Sequence, residues 1–255
     1  MLWYKAWLET RWRFLIGLVL LMLSACGIVV AYPSLTRLMS AVPQIDAGGL
    51  IGREIRESLE LARDYRGYIW SQWYRQNLIQ MWTLFAILLG SGSVLSQAFG
   101  GGTLFTLSLP ASRARLVGIR AATGLAELLA LAVVPSLLIP LFSPAVGQSY
   151  GVGGVLVHGA CLFIAGAAFF SLTFLLSTLF GDPWRPLMLA CAVAFALSIL
   201  GQFVPEVGRY SLFTVMNGDA YFRGGGLPWL GLLASAALST VMLYAANRNI
   251  ARQDF

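Results

Sequence analysis

The sequence predicts an all-α membrane protein, and three observations carry that prediction. Of 255 residues, 58% are hydrophobic and only 11% are charged, whereas a soluble domain carries roughly 25% charged residues. The apolar residues fall in long blocks, and an uncharged block of about 18 residues or more is long enough to cross a bilayer. The polar stretches between blocks are short, Pro33–Asn77 being the longest. Residues 1–255 therefore read as a single transmembrane domain with about six spans.

The first element is Met1–Arg13. Lys5, Glu9 and Arg13 recur at four-residue spacing, with Trp3, Trp7 and Phe14 on the other side. This pattern predicts an amphipathic helix lying in the membrane interface. The first span follows at about Phe14–Ala31. Leu23-Ser24-Ala25-Cys26 within it resembles a lipoprotein cleavage box. The apolar run continues past the box, so an uncleaved anchor is expected.

In the long loop Pro33–Asn77, Ile51, Ile55, Leu59 and Ala62 recur at helical spacing among charges, which predicts a surface helix. Tyr65, Tyr68, Trp70, Trp73 and Tyr74 then form an expected aromatic belt at the membrane–water boundary. The second span is expected at Leu78–Phe99, where Gly90 and Gly92 allow close helix contact. Four more follow, at Val117–Leu141, Val155–Phe180, Pro186–Val204 and Leu227–Ala246. Glycine- and proline-rich turns separate them.

With six spans both termini share a side. That side collects Lys5, Arg11, Arg13, Arg113, Arg115, Arg120, Arg185, Arg248 and Arg252 against few acids, while the long loop nearly balances its charges. The positive-inside rule then places both termini in the cytoplasm, as expected for a multi-pass protein of a bacterial-type inner membrane. The net charge of +6 is thus accounted for without a nucleic-acid partner. Cys26, Cys161 and Cys191 all lie in apolar blocks without metal-ligand spacing and read as small core residues.

Exclusion sharpens the functional reading. Lys5 is the single lysine, so a phosphate-cradling G-x-x-x-x-G-K-[ST] loop cannot occur in this chain. His158 is the single histidine, which excludes two-histidine metal sites, and no metal site is expected. A serine-nucleophile G-x-S-x-G motif is absent. Glu127 is the one ionisable group deep in a span, roughly 15 Å from the start of the third span at 1.5 Å per residue. Such a group usually marks function, here a translocation path or a coupling network. A lone carboxyl is thin equipment for catalysis, so no enzymatic activity is expected. His158 is a weaker candidate for binding.

Between the second and third spans stands Gly101-Gly102-Thr103-Leu104-Phe105-Thr106-Leu107-Ser108-Leu109-Pro110-Ala111-Ser112-Arg113. This segment resembles the cytoplasmic connection of ABC-2-type permeases, in which a G-T-L stretch leads to a P-x-S-R turn. The layout of interfacial helix, six spans and basic tail is similar as well. It is nearest to lineages with a long first loop, among them the permease of the nitrous oxide reductase maturation system. Where that family usually flanks Gly-Thr-Leu with acids, this chain has Phe99, Gly100, Gly101 and Phe105. A partner would therefore be met through shape more than charge.

The resemblance implies a permease subunit of an ABC exporter that pairs with a second copy, more readily its own kind than a different chain. Two separate cytoplasmic ATPase subunits would supply ATP and Mg chemistry, with no cofactor on this chain. Thr103, Leu104, Phe105, Leu107, Ser108, Leu109, Pro110, Arg113 and Arg115 would form the coupling helix seated in the ATPase. The cargo is expected to be amphipathic, given apolar and aromatic spans. A secondary carrier or membrane scaffold is the alternative, and an intramembrane enzyme a more distant one. A carrier would require several buried ionisable groups and paired helix breaks.

Overall fold

A computed structural model of the chain describes residues 2–41, 60–61, 63–92, 113–203 and 211–252. All regular elements among these residues are helical. Among the described residues, five helices are long and apolar enough to cross a membrane, which is the make-up of a multi-pass membrane protein.

Helix α1 spans Leu2–Ala41. The expected interfacial helix and first span are thus one rod of about 60 Å rather than two elements. No proline or glycine precedes Gly17 to interrupt it, and the lipoprotein-like box lies inside the helix. Pro33 also sits within it, where a ring costs one backbone hydrogen bond; the Thr36 hydroxyl donates to the Pro33 carbonyl at 3.0 Å. Two of the charges expected on the outer face of the N-terminal part turn inward instead. Trp3, Tyr4 and Trp12 are exposed, while Glu9 and Arg13 turn inward to partners on other helices. Charges that find buried partners are better placed there than a bulky indole would be.

Three segments form one continuous helical run: α2 (Tyr65–Ile69), a π-helix (Trp70–Leu78) and α3 (Ile79–Gly90). The run lies antiparallel to α1. The Tyr68 hydroxyl donates to the Ile28 carbonyl at 3.0 Å, and Gly17 sits against the Phe85 ring. The expected aromatic belt is not on the outside. Trp70, Trp73 and Tyr74 are 1%, 0% and 2% exposed. The Trp73 indole donates to Ser136 Oγ at 3.1 Å, the Trp82 indole to the Leu128 carbonyl at 3.0 Å, and Tyr65 shares a hydrogen bond with Ser143 at 2.7 Å. Buried indoles and phenols need such partners, and α4 (Arg113–Phe142) with the short 3₁₀ turn Ser143–Val146 supplies them. The run is therefore stitched to α4 along its length.

Helix α5 (Val152–Leu179) is central: 67% of its most apolar stretch is buried, against 17% for α6 (Trp184–Phe203). Small residues let neighbours approach it. A Cβ on Gly90 would stand 2.8 Å from the Phe170 carbonyl, and one on Gly166 would strike the Trp82 ring. Two short helices, α7 (Leu212–Met216) and α8 (Asp219–Phe222), fold back over one end of α5. Helix α9 (Trp229–Arg252) closes the bundle and extends past the expected end of the sixth span. Both α6 and α9 present large apolar side chains outward, including Phe195, Leu200, Leu230 and Val241. In water these faces would be untenable; lipid or a second chain suits them.

The expected second span, Leu78–Phe99, is described through Gly92, and its α-helical part is the 12-residue α3. Most of the expected surface helix, from Ile51 through Leu59, lies outside the described residues.

Candidate functional site

A cluster of charged and polar side chains lies where α1, α3 and α4 meet. Arg120 and Glu127 are seven residues apart on α4, two helical turns, and so share a face. Glu9 and Arg13 are four apart on α1 and also share a face. The two stripes oppose each other. Arg120 pairs with Glu9 at 3.4 Å, their side chains only 11% and 23% exposed. Thr10 donates to Glu127 Oε1 at 2.6 Å, with Glu127 itself 5% exposed. Glu127 Oε2 has no hydrogen-bond partner among the described residues. Arg13 reaches across to α3, donating to the Leu88 carbonyl at 2.7 Å and to Ser91 Oγ at 3.4 Å.

Gly92 completes the arrangement. A Cβ there would collide with the Arg120 guanidinium and would lie 3.5 Å from Arg13. The absence of a side chain lets both cations approach the exit of α3. This exit matters because the 93–112 connection leaves at Gly92 and returns at Arg113. Arg13 therefore holds one root of the connection, and Arg120, packed close to Gly92, stands two turns into the helix that forms the other.

Among the residues expected to carry coupling, Thr103, Leu104, Phe105, Leu107, Ser108, Leu109 and Pro110 lie outside the described residues. Arg113 begins α4, and Arg115 is exposed on its first turn. Glu127 was expected near the bilayer midplane; its partner is Thr10, on the stretch of α1 expected to lie in the interface. In the sequence Glu9, Arg13 and Arg120 read only as interfacial and flanking charges, and Thr10 and Ser91 as no part of a site. The signal was present in the matching spacings of Glu9–Arg13 and Arg120–Glu127, but the same charges also fit a plain interfacial flank.

His158 is 2% exposed, lies at the opposite end of α5 from the network, and bonds through Nδ1 to the Asn217 carbonyl at 3.0 Å. Among the described residues no group of three or more His, Cys, Asp or Glu side chains is placed to hold a metal ion. The three cysteines are unpaired.

Compared with models of protein families, with curated proteins and with solved structures, the chain matches none of them. The functional reading rests on the residues and their geometry.

Removing one partner of a buried pair leaves an uncompensated charge, at a cost of about 3–5 kcal/mol. The pairs therefore tie α1 to α3 and α4 at this end of the bundle.

Proposed function

We propose that this chain is the membrane subunit of an ATP-driven exporter of the ABC-2 permease type. It has six spans, both termini in the cytoplasm, and a coupling segment between the second and third spans. It pairs with a second copy and with two separate ATPase subunits. The observation that carries this reading is the buried network at the roots of the 93–112 connection. Arg13 holds the last turn of α3, Arg120 holds Glu9, and Thr10 holds Glu127.

A partner pressing on the connection would move α3 and α4, and the network would deliver that motion to α1. Glu127 then serves coupling rather than acid–base chemistry. Its unpartnered Oε2 leaves one oxygen free to take a new donor when the helices shift. The outward apolar faces of α6 and α9 offer surface for lipid and for the second copy. The cargo passes between the two copies, and the apolar, aromatic composition of the spans favours an amphipathic one.

Coupling requires the 103–115 segment to face the compartment that holds ATP. In a background with Cys26, Cys161 and Cys191 replaced by alanine, single cysteines at Ser58 and Ser112 should label from opposite sides of sealed vesicles. Ser112 should react only from the cytoplasmic side. Labelling of both positions from one side would remove the basis for the reading.

A further inference from the structure

A second feature lies at the other end of the bundle, where α2, the π-helix, the start of α5 and the α7–α8 pair converge. They enclose a partly open cavity of about 280 Å³ lined by Arg66, Ser149, Tyr150, His158 and Tyr221, with glycine backbone closing one side. We propose that this cavity is a binding site for a phosphate ester of a hydroxylated alcohol, a group of the glycerol phosphate kind. The inference stands on the cavity alone and does not depend on the coupling mechanism.

The lining has one sign and many donors. Arg66 supplies a guanidinium, Ser149, Tyr150 and Tyr221 supply hydroxyls, and no carboxylate is among the lining residues. A phosphate ester offers two or three free acceptor oxygens, as a diester or a monoester, which suits this number of donors. Burial pushes the Tyr150 phenol up to about 12, against the opposing pull of Arg66, so it is a neutral donor at physiological pH. The first turn of α5 carries no side-chain cap. The Gly154 amide is spent on the Gly151 carbonyl at 3.2 Å, and the remaining amides at this helix start add to the attraction for an anion.

The cavity exceeds a bare phosphate. Its about 280 Å³ holds the equivalent of roughly nine waters at ~30 Å³ each. His158 indicates what fills the remainder. Its Nδ1 faces the Asn217 carbonyl at 3.0 Å, and a carbonyl only accepts, so Nδ1 carries the proton. Nε2 is then the acceptor, and it has no partner among the described residues. A hydroxyl on the alcohol part of an ester matches it.

The ring is held firmly for this role. It stacks on Tyr74 at 4.3 Å between centroids and meets Tyr221 edge-on at 5.5 Å. Gly218, at φ 66°, lets the Asn217 carbonyl reach it, because a Cβ at Gly218 would stand 2.7 Å from Nδ1. The π-helix brings Tyr74 to this place, in keeping with the frequent use of such segments at functional sites.

The ester can be a soluble molecule or a lipid headgroup, and the experiment separates the two. The full chain in neutral detergent is titrated calorimetrically with glycerol 3-phosphate and with inorganic phosphate. In parallel it is placed in nanodiscs of phosphatidylcholine with and without phosphatidylglycerol, and retained lipid is counted by native mass spectrometry. Saturable binding of glycerol 3-phosphate identifies a soluble source, and selective retention of phosphatidylglycerol identifies a headgroup.

In either case Arg66→Gln should weaken binding by about tenfold or more, the usual effect of losing a charged hydrogen bond. Tyr221→Phe should weaken it less. Arg66 is exposed, so its variant should keep the thermal stability of the parent. Absence of binding in both formats overturns the proposal, as does unchanged binding in both variants. Inorganic phosphate binding as tightly as the ester would overturn the role assigned to His158.

Discussion

Replacing Leu107 or Phe105 by aspartate is expected to leave the chain inserted and paired while stripping it of its ATP-hydrolysing partners. The segment lies between two apolar helices, yet it carries Leu104, Phe105, Leu107 and Leu109 on a stretch expected in the cytoplasm. Bare exposure of that many apolar side chains is unfavourable unless something covers them. Burying a leucine in a partner's groove contributes about 1.5–3 kcal/mol, and a carboxylate forced into the same place adds a desolvation penalty of several kcal/mol. Affinity for the ATPase should therefore fall by at least about a hundredfold, since each 1.4 kcal/mol is tenfold. Pull-down of the ATPase and transport-stimulated ATP hydrolysis provide the readouts. Normal binding and transport by both variants would mean that these side chains merely dip into lipid.

The second large effect is expected at Glu127. Glu127→Gln keeps a carbonyl oxygen to accept from Thr10, so the helices should remain packed and the complex assembled. It removes the ionisable group from the network, and transport should drop by about tenfold, or roughly 1.4 kcal/mol of lost coupling. Thr10→Val should act differently. It withdraws the hydroxyl that meets Glu127 Oε1 at 2.6 Å and leaves both carboxylate oxygens without a partner among the described residues. That orphaned buried group should cost about 1–3 kcal/mol of stability, seen as a lower unfolding temperature in detergent. Full transport by a well-expressed Gln variant would reduce Glu127 to a packing group.

Much of the bundle was legible because apolar block length is a strong signal. Val152–Leu179 and Trp184–Phe203 lie within a few residues of blocks marked by hydropathy alone. The N-terminal stretch was read less well, for a physical reason. A wheel that separates Lys5, Glu9 and Arg13 from Trp3 and Trp7 shows that two faces differ, but not which one packs against the bundle. The partners that decide it, Arg120 and the Leu88 carbonyl, are distant in sequence. The aromatic run misled in a similar way. Trp70, Trp73 and Tyr74 have the composition of an interfacial belt. They are buried because Ser136 and Asn217 supply hydrogen-bond partners for Trp73 and Trp70 inside the bundle. The cavity by His158 was foreshadowed only by that lone histidine, since Arg66, Tyr150 and Tyr221 come from three separate segments that only the fold brings together.

The central claim is that this chain does its work by holding an ATP-hydrolysing partner. The most direct measurement is purification of the tagged chain from its native membrane in mild detergent, followed by identification and counting of what comes with it. The account predicts a complex of two copies of this chain with two copies of a P-loop ATPase, hydrolysing ATP only when both components are present. Recovery of the chain alone, transporting or catalysing without any ATP-hydrolysing partner, would contradict it.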